Sequence, residues 1–175
     1  SDSRGGLLAV EAATGEVLWR REIELGEPPL LGTDGQQAYF ATSSGRLLRV
    51  SPGDGAITAE LPGKFRAVWR PQLFAELDLA IFQSEHEILA TDRELRTIRW
   101  RLESPEEWTT PAPIVWRDAL VVGTANGALL GLDPTTGATR WRYEVGQPPR
   151  GLRAAGDLLV VGTIPGRVLA LAVRR

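Results

Sequence analysis

Few residues in this chain have side chains suited to chemistry, and their spacing narrows the options further. Cysteine is absent and His86 is the single histidine. That excludes thiol nucleophiles, thiolate metal sites, a disulfide framework and multi-histidine metal centres. His86 stands between Glu85 and Glu87, where an imidazole is either a pH-responsive acid-base group or an exposed loop residue. Asp78, Asp118 and Asp157 each precede a hydroxyl residue (Ser84, Thr124, Thr163) by the same interval. That places them at equivalent turns, where an aspartate bonds its own backbone, rather than in a catalytic cluster. Arginine flanks three tryptophans, in Trp19-Arg20-Arg21, Arg99-Trp100-Arg101 and Arg140-Trp141-Arg142. On a strand the neighbours of a buried tryptophan face outward, so these guanidinium groups either bind an acidic partner or guard an outer edge against association.

The elements that hold these residues follow from an internal repeat. Gly127 to Trp141 reads GALLGLDPTTGATRW, and Gly5 to Trp19 reads GGLLAVEAATGEVLW. The same frame runs from Gly45 with Ala59 at the tryptophan position, runs from His86 to Trp100 with His86 and Arg96 replacing the glycines, and reopens at Gly166. Frames beginning at 5, 45, 86, 127 and 166 are spaced by 40, 41, 41 and 39 residues. Between them recur a short approach and an apolar run: Pro28-Pro29 then 37–42, Pro71 then 79–84, Pro113 then 119–124, and Arg150 then 158–163. Short runs of β-branched, leucine and aromatic residues punctuated by Asp-Gly, Thr-Gly and Asn-Gly mark strands joined by tight turns. Four strands in each unit of ~40 residues is the pattern of a β-propeller blade. The fold class expected is therefore all-β, with four-stranded antiparallel blades and about four repeats, as a closed four-blade ring or as half of a larger one.

The pattern G-x-L-x-x-h-x-x-x-T-G-x-x-x-W, carried by Gly5 to Trp19 and Gly127 to Trp141, resembles the quinoprotein-type (PQQ-like) β-propeller repeat. That family includes quinone-dependent alcohol dehydrogenases, a propeller lipoprotein of outer-membrane protein assembly and sensor propellers attached to kinases. The resemblance implies that each framed tryptophan docks across a blade junction onto a turn tightened by its glycine. Trp19, Trp100 and Trp141 are then buried equivalently, and the junction at Ala59 is looser or repacked. A catalytic member would carry a calcium-binding acidic set, an aspartate base and in many cases adjacent cysteines, and the cysteines are missing. The resemblance favours a periplasmic or extracytoplasmic compartment.

With strands named A to D in order, the chain holds four A-B pairs, four D strands and five C strands, and residues 1–175 form one repeat domain. Trp69 and Trp108 fall outside the regular frame, in D-A connections that share one face with the B-C turns. Exposed there with Arg66, Glu85, His86, Asn126 and Arg150, they compose a candidate binding rim of aromatic and arginine anchors, or else they pack against the channel mouth. Net charge is −2, and of 20 basic residues only Lys64 is lysine, so a nucleic-acid footprint would have to be a local patch. No apolar stretch approaches the ~20 residues of a membrane-spanning helix, and Ser1-Asp2-Ser3-Arg4 does not open a signal peptide. The function expected is a non-catalytic binding or scaffold module for a protein, peptide or other extended ligand. It uses no cofactor, no metal, no nucleic acid and no direct membrane insertion, and a homodimer or further blades would complete a larger ring. The alternatives are a fragment of a quinone-dependent dehydrogenase, or a ligand-sensing domain of a receptor or kinase.

Overall fold

The computed structural model describes residues 6–23, 30–42, 44–109, 112–164 and 166–172. Gly5, Pro28, Pro29 and the opening Ser1 to Arg4, which the repeat reading uses, lie outside them. Strands β1 (Gly6–Val10) and β2 (Val17–Glu22) form a hairpin. Strands β3 (Leu30–Thr33), β4 (Ala38–Ala41), β5 (Leu47–Val50) and β6 (Ile57–Leu61) form a four-stranded sheet. So do β7 (Gln72–Phe74), β8 (Leu79–Gln83), β9 (Glu87–Thr91) and β10 (Ile98–Glu103), and again β11 (Ile114–Trp116), β12 (Ala119–Gly123), β13 (Ala128–Leu132) and β14 (Thr139–Glu144). Strands β15 (Pro149–Ala155), β16 (Leu158–Thr163) and β17 (Val168–Ala172) form a three-stranded sheet. In every sheet, neighbours in sequence are neighbours in space. Among the described residues this gives the expected four A-B pairs, four D strands and five C strands. The one helical element there is a 3-10 turn at Ala75–Leu77, closed by Asp78 in the left-handed conformation.

The residues divide into two compact units, 1–82 with 91–98 and 83–90 with 99–175. In the first, Ile23, Phe40, Leu48 and Val50 make a buried cluster with Leu7 and Ala38 against it. In the second, Trp116, Val121, Leu129, Val145, Leu152, Leu159 and Val161 do the same, with Trp141 packed on the cluster. The inner strands are largely apolar, β8 and β12 being buried at every position. The D strands are mostly exposed, the third residue of each being more buried than its two neighbours.

At two of the C-D turns the closing glycine has a second duty. Gly15, Gly55 and Gly137 donate their N–H to the carbonyl four residues earlier, with φ of 75°, 70° and 72°. At Gly55 the ring of Trp19 lies 2.7 Å from where a Cβ would stand, and at Gly137 the ring of Trp100 does the same. Trp19 Nε1 donates to the Pro52 carbonyl and Trp100 Nε1 to that of Pro134, both at 2.8 Å. These two tryptophans therefore sit on turns of the following repeat, as the resemblance implies.

Burial does not follow the expected equivalence. Trp100 is buried, at 7% exposure, but Trp19 and Trp141 are half-buried. Trp141 lies over Gly131, its cross-strand partner, and meets Trp116 edge-on at 6.3 Å. The junction at Ala59 is repacked rather than loose. The carbonyl equivalent to Pro52 and Pro134 is that of Arg93, and Tyr39 donates its hydroxyl to it at 3.0 Å. Arg49, the cross-strand partner of Ala59, forms two hydrogen bonds to Glu94 at 2.9 and 3.1 Å. Leu95 takes the left-handed conformation (φ 55°) in that turn and is buried.

At the C-D turn of the β11–β14 sheet, Arg140 donates to Asp133 at 2.7 Å, and Asp133 also accepts the N–H groups of Thr135 and Thr136. The Arg140 hydrogen bond, then those two amides, holds the Asp133 carboxyl at about 2, below its ordinary 3.8. Because the folded value is the lower one, this contribution to stability is present above the ordinary carboxylate range and is lost as pH falls through about 2. A carboxyl NMR titration should find the Asp133 midpoint near 2, and Arg140→Gln should move it up toward 3.8. An unchanged midpoint in the variant would exclude Arg140 as the main cause.

Candidate interaction surface

Within the second unit, one end of the sheets is built from B-C turns and D-A connections stitched together by main-chain bonds. The turn after β12 is closed by Thr124, whose N–H donates to the Ala128 carbonyl while its Oγ1 accepts the Ala128 N–H. Gly127 takes the left-handed position with φ 89°. The turn after β8 is one residue shorter. There the Ser84 N–H donates to the Glu87 carbonyl and Ser84 Oγ accepts the Glu87 N–H at 2.9 Å. His86 stands where the other frames have glycine, and it is not among the residues with positive φ. The shortened turn has no left-handed seat, so a side chain is tolerated there.

The connection from β10 to β11 runs along both turns. The Ser104 N–H donates to the His86 carbonyl and the Trp108 N–H to that of Glu85, at 2.8 and 2.7 Å. The Ala125 N–H donates to the Glu107 carbonyl and the Thr109 N–H to that of Gly123. The connection after β14 is fixed likewise, since the Val145 and Gly146 N–H groups both donate to the Gly127 carbonyl. Thr109 Oγ1 ties the two connections together by donating to the Pro149 carbonyl at 2.9 Å.

Each candidate residue can be placed on this frame. Glu85 and His86 are exposed on the β8–β9 turn, Asn126 is exposed on the β12–β13 turn, and Arg150 is exposed at the start of β15. Trp108 corrects the expectation of an exposed anchor. It is 2% exposed and forms an isolated bridge with Thr124. The reason is the main-chain pairing of its connection, which turns the indole inward. Glu85, His86, Trp108 and Asn126 are thus joined through residues 104–109. Arg66 and Trp69 lie in the first unit on the connection after β6, Arg66 exposed and Trp69 half-buried.

Sequence reasoning missed the groove beside His86. It encloses about 450 Å³ and is lined by Ser84, His86, Glu87, Glu103, Ser104 and Pro105. Arg101 pairs with Glu87 at 2.9 Å, and Arg142 with Glu106 at 3.3 Å. The available signal was the polar run Glu103-Ser104-Pro105-Glu106-Glu107, longer than a plain strand connection needs. Three of the D-strand arginines meet carboxylates of their own chain: Arg101 that of Glu87, Arg140 those of Asp118 and Asp133, and Arg142 those of Glu106 and Glu144. The three turn aspartates are likewise matched, Asp78 with Arg93, Asp118 with Arg140 and Asp157 with Arg117.

A family model described as outer membrane protein assembly factor BamB matches residues 3–174. The outer membrane protein assembly factor BamB of Nitrosomonas eutropha is 37% identical over 73 residues, which is 41% of this chain and 18% of that protein. The crystal structure of BamB from Moraxella catarrhalis superposes with a TM-score of 0.70 at 21% identity, over 97% of this chain and 55% of that one. The computationally designed Ika8 protein superposes with a TM-score of 0.72 at 14% identity, over 94% of this chain and 51% of that one. The designed Ika4 protein gives 0.69 at 14% identity, over 83% and 90%. The chain thus spans about half the length of the BamB structure it matches. Antiparallel four-stranded sheets in meander order, with tryptophans seated on the turns of following repeats, are what a propeller of blades requires, and with the family model matched from residue 3 to 174 the chain belongs to the family of outer membrane protein assembly factor BamB.

Proposed function

We propose that this chain is a non-catalytic protein-binding module acting in outer-membrane protein assembly, and that it binds through the end carrying the B-C turns and D-A connections. The observation that carries this reading is the main-chain stitching of residues 104–109 onto the turns at 84–87 and 124–128. It presents Glu85, His86 and Asn126 on a backbone with little freedom to lose, which lowers the entropic cost of docking. The names of the relatives support the process, and the arginine-matched turn aspartates support a role without catalysis. A photo-crosslinking residue at His86, introduced in cells, should trap a protein of outer-membrane protein assembly. The same residue at Thr136, on the C-D turn at the other end of its sheet, should not. Equal trapping at both positions, or trapping at neither, rejects this surface.

A further inference from the structure

The D-A connection of the first unit carries a row of cations that the fold does not use. From Pro62 to Pro71 it holds Lys64, Arg66 and Arg70, and no acidic residue occurs between Glu60 and Glu76. Exposure alternates along it: Lys64, Arg66, Val68 and Arg70 are exposed, whereas Phe65 and Pro71 are buried and Ala67 and Trp69 half-buried. That period of two belongs to an extended chain showing one side to water. Both ends are pinned. A Cβ on Gly45 would stand 2.7 Å from the Lys64 Cα, and one on Gly32 would stand 2.6 Å from the Pro71 carbonyl oxygen. Close approach to these two glycines fixes where the row lies. Other arginines of the same unit are matched, Arg46 with Glu60, Arg49 with Glu94 and Arg93 with Asp34. Lys64, Arg66 and Arg70 form no ion pair among the described residues.

We propose that this row seats an extended, acidic segment of a partner protein, with carboxylates at alternate positions that accept hydrogen bonds from Lys64, Arg66 and Arg70. Alternate side chains of an extended segment repeat at about 7 Å, so carboxylates and cations stay in step along the row. Val68, exposed between Arg66 and Arg70, meets an apolar residue of the segment rather than an acid. Charge-assisted hydrogen bonds to unpaired cations supply the attraction, and no carboxylate of the connection itself competes for them. A bilayer surface is the weaker fit, because lipid-binding clusters gather about four to eight basic residues, more than this row holds. All of these residues belong to the first unit, so the seat does not depend on the surface around His86.

The test is an NMR titration of the labelled 175-residue chain with the capped peptide ETETVTE and with its isomer EEETVTT, in which the carboxylates are bunched. At low salt, ETETVTE should shift the amides of residues 64–70 and saturate with a dissociation constant below about 1 mM. The isomer should bind about fivefold more weakly, and raising the salt to about 0.15 M should weaken ETETVTE about tenfold. Lys64→Gln and Arg66→Gln should each weaken it by about three- to tenfold. Arg153→Gln, at an exposed arginine of the second unit, should not. Because the row side chains are exposed and unpaired, the urea midpoints of all three variants should match that of the parent. Vesicles of equimolar phosphatidylcholine and phosphatidylglycerol should leave the amides of 64–70 unmoved. No shift at 64–70 with ETETVTE, equal affinity for the two peptides, Arg66→Gln without effect, or shifts from the vesicles and not from the peptide overturn the proposal.

Discussion

Trp100→Ala should lower the unfolding free energy by about 3 to 5 kcal/mol, read from the urea midpoint at unchanged slope. The indole is buried, its Nε1 bonds the Pro134 carbonyl, and its ring fills the place where Gly137 has no Cβ. Truncation opens a cavity between the D strand and the following turn and leaves a carbonyl without its donor. Trp100→Phe should retain most of the packing and lose about 1 kcal/mol for the hydrogen bond. Trp141→Ala should cost less, because that ring is already half in water. A loss below about 0.5 kcal/mol for Trp100→Ala is the range of surface substitutions and would refute the junction role.

Gly127→Ala should be the most damaging single-methyl change at the candidate surface, at about 3 kcal/mol, combining left-handed strain with overpacking. Its φ is 89°, and an added Cβ would stand 2.7 Å from the Gln147 backbone nitrogen and 3.0 Å from carbonyl carbons of Gly146 and Gln147. Backbone atoms cannot turn aside as a side chain can, so the connection after β14 must lift. The amides of Val145 and Gly146, which donate to the Gly127 carbonyl, should then exchange with solvent faster than in the parent. Gly166→Ala, in an equivalent turn with nothing within 4 Å, should show the conformational part alone. Equal losses at the two glycines would mean that the close approach at Gly127 has no energetic weight.

Strand order and count were readable because they are written in local pattern: alternation, turn glycines and a fixed period. The frames beginning near 5, 45, 86, 127 and 166 open C strands, and the five C strands follow from them. Junction chemistry was readable only where donor and acceptor keep the same places in successive repeats, as for Trp19 and Trp100. Tyr39 was not, because it does the work of the missing tryptophan from a different strand, 54 residues from its acceptor. The inward turn of Trp108 was hidden for a related reason. It depends on main-chain pairing between a connection and two turns that are distant in sequence. The tolerance of histidine at 86 arises from one deleted turn residue, a change of length that residue types do not record.

The seats for the junction aromatics are backbone oxygens, belonging to Pro52, Arg93 and Pro134. The receiving turn therefore needs a shape and no particular side chain at the accepting residue. A gene segment encoding one repeat of ~40 residues carries both halves of the contact, so tandem duplication yields a daughter that already fits its parent. Drift can then alter the side chains of the accepting turn without unfastening the joint. The donor can even migrate to another strand, as Tyr39 shows, which leaves the exposed loops open to selection for new partners while the lineage keeps its architecture.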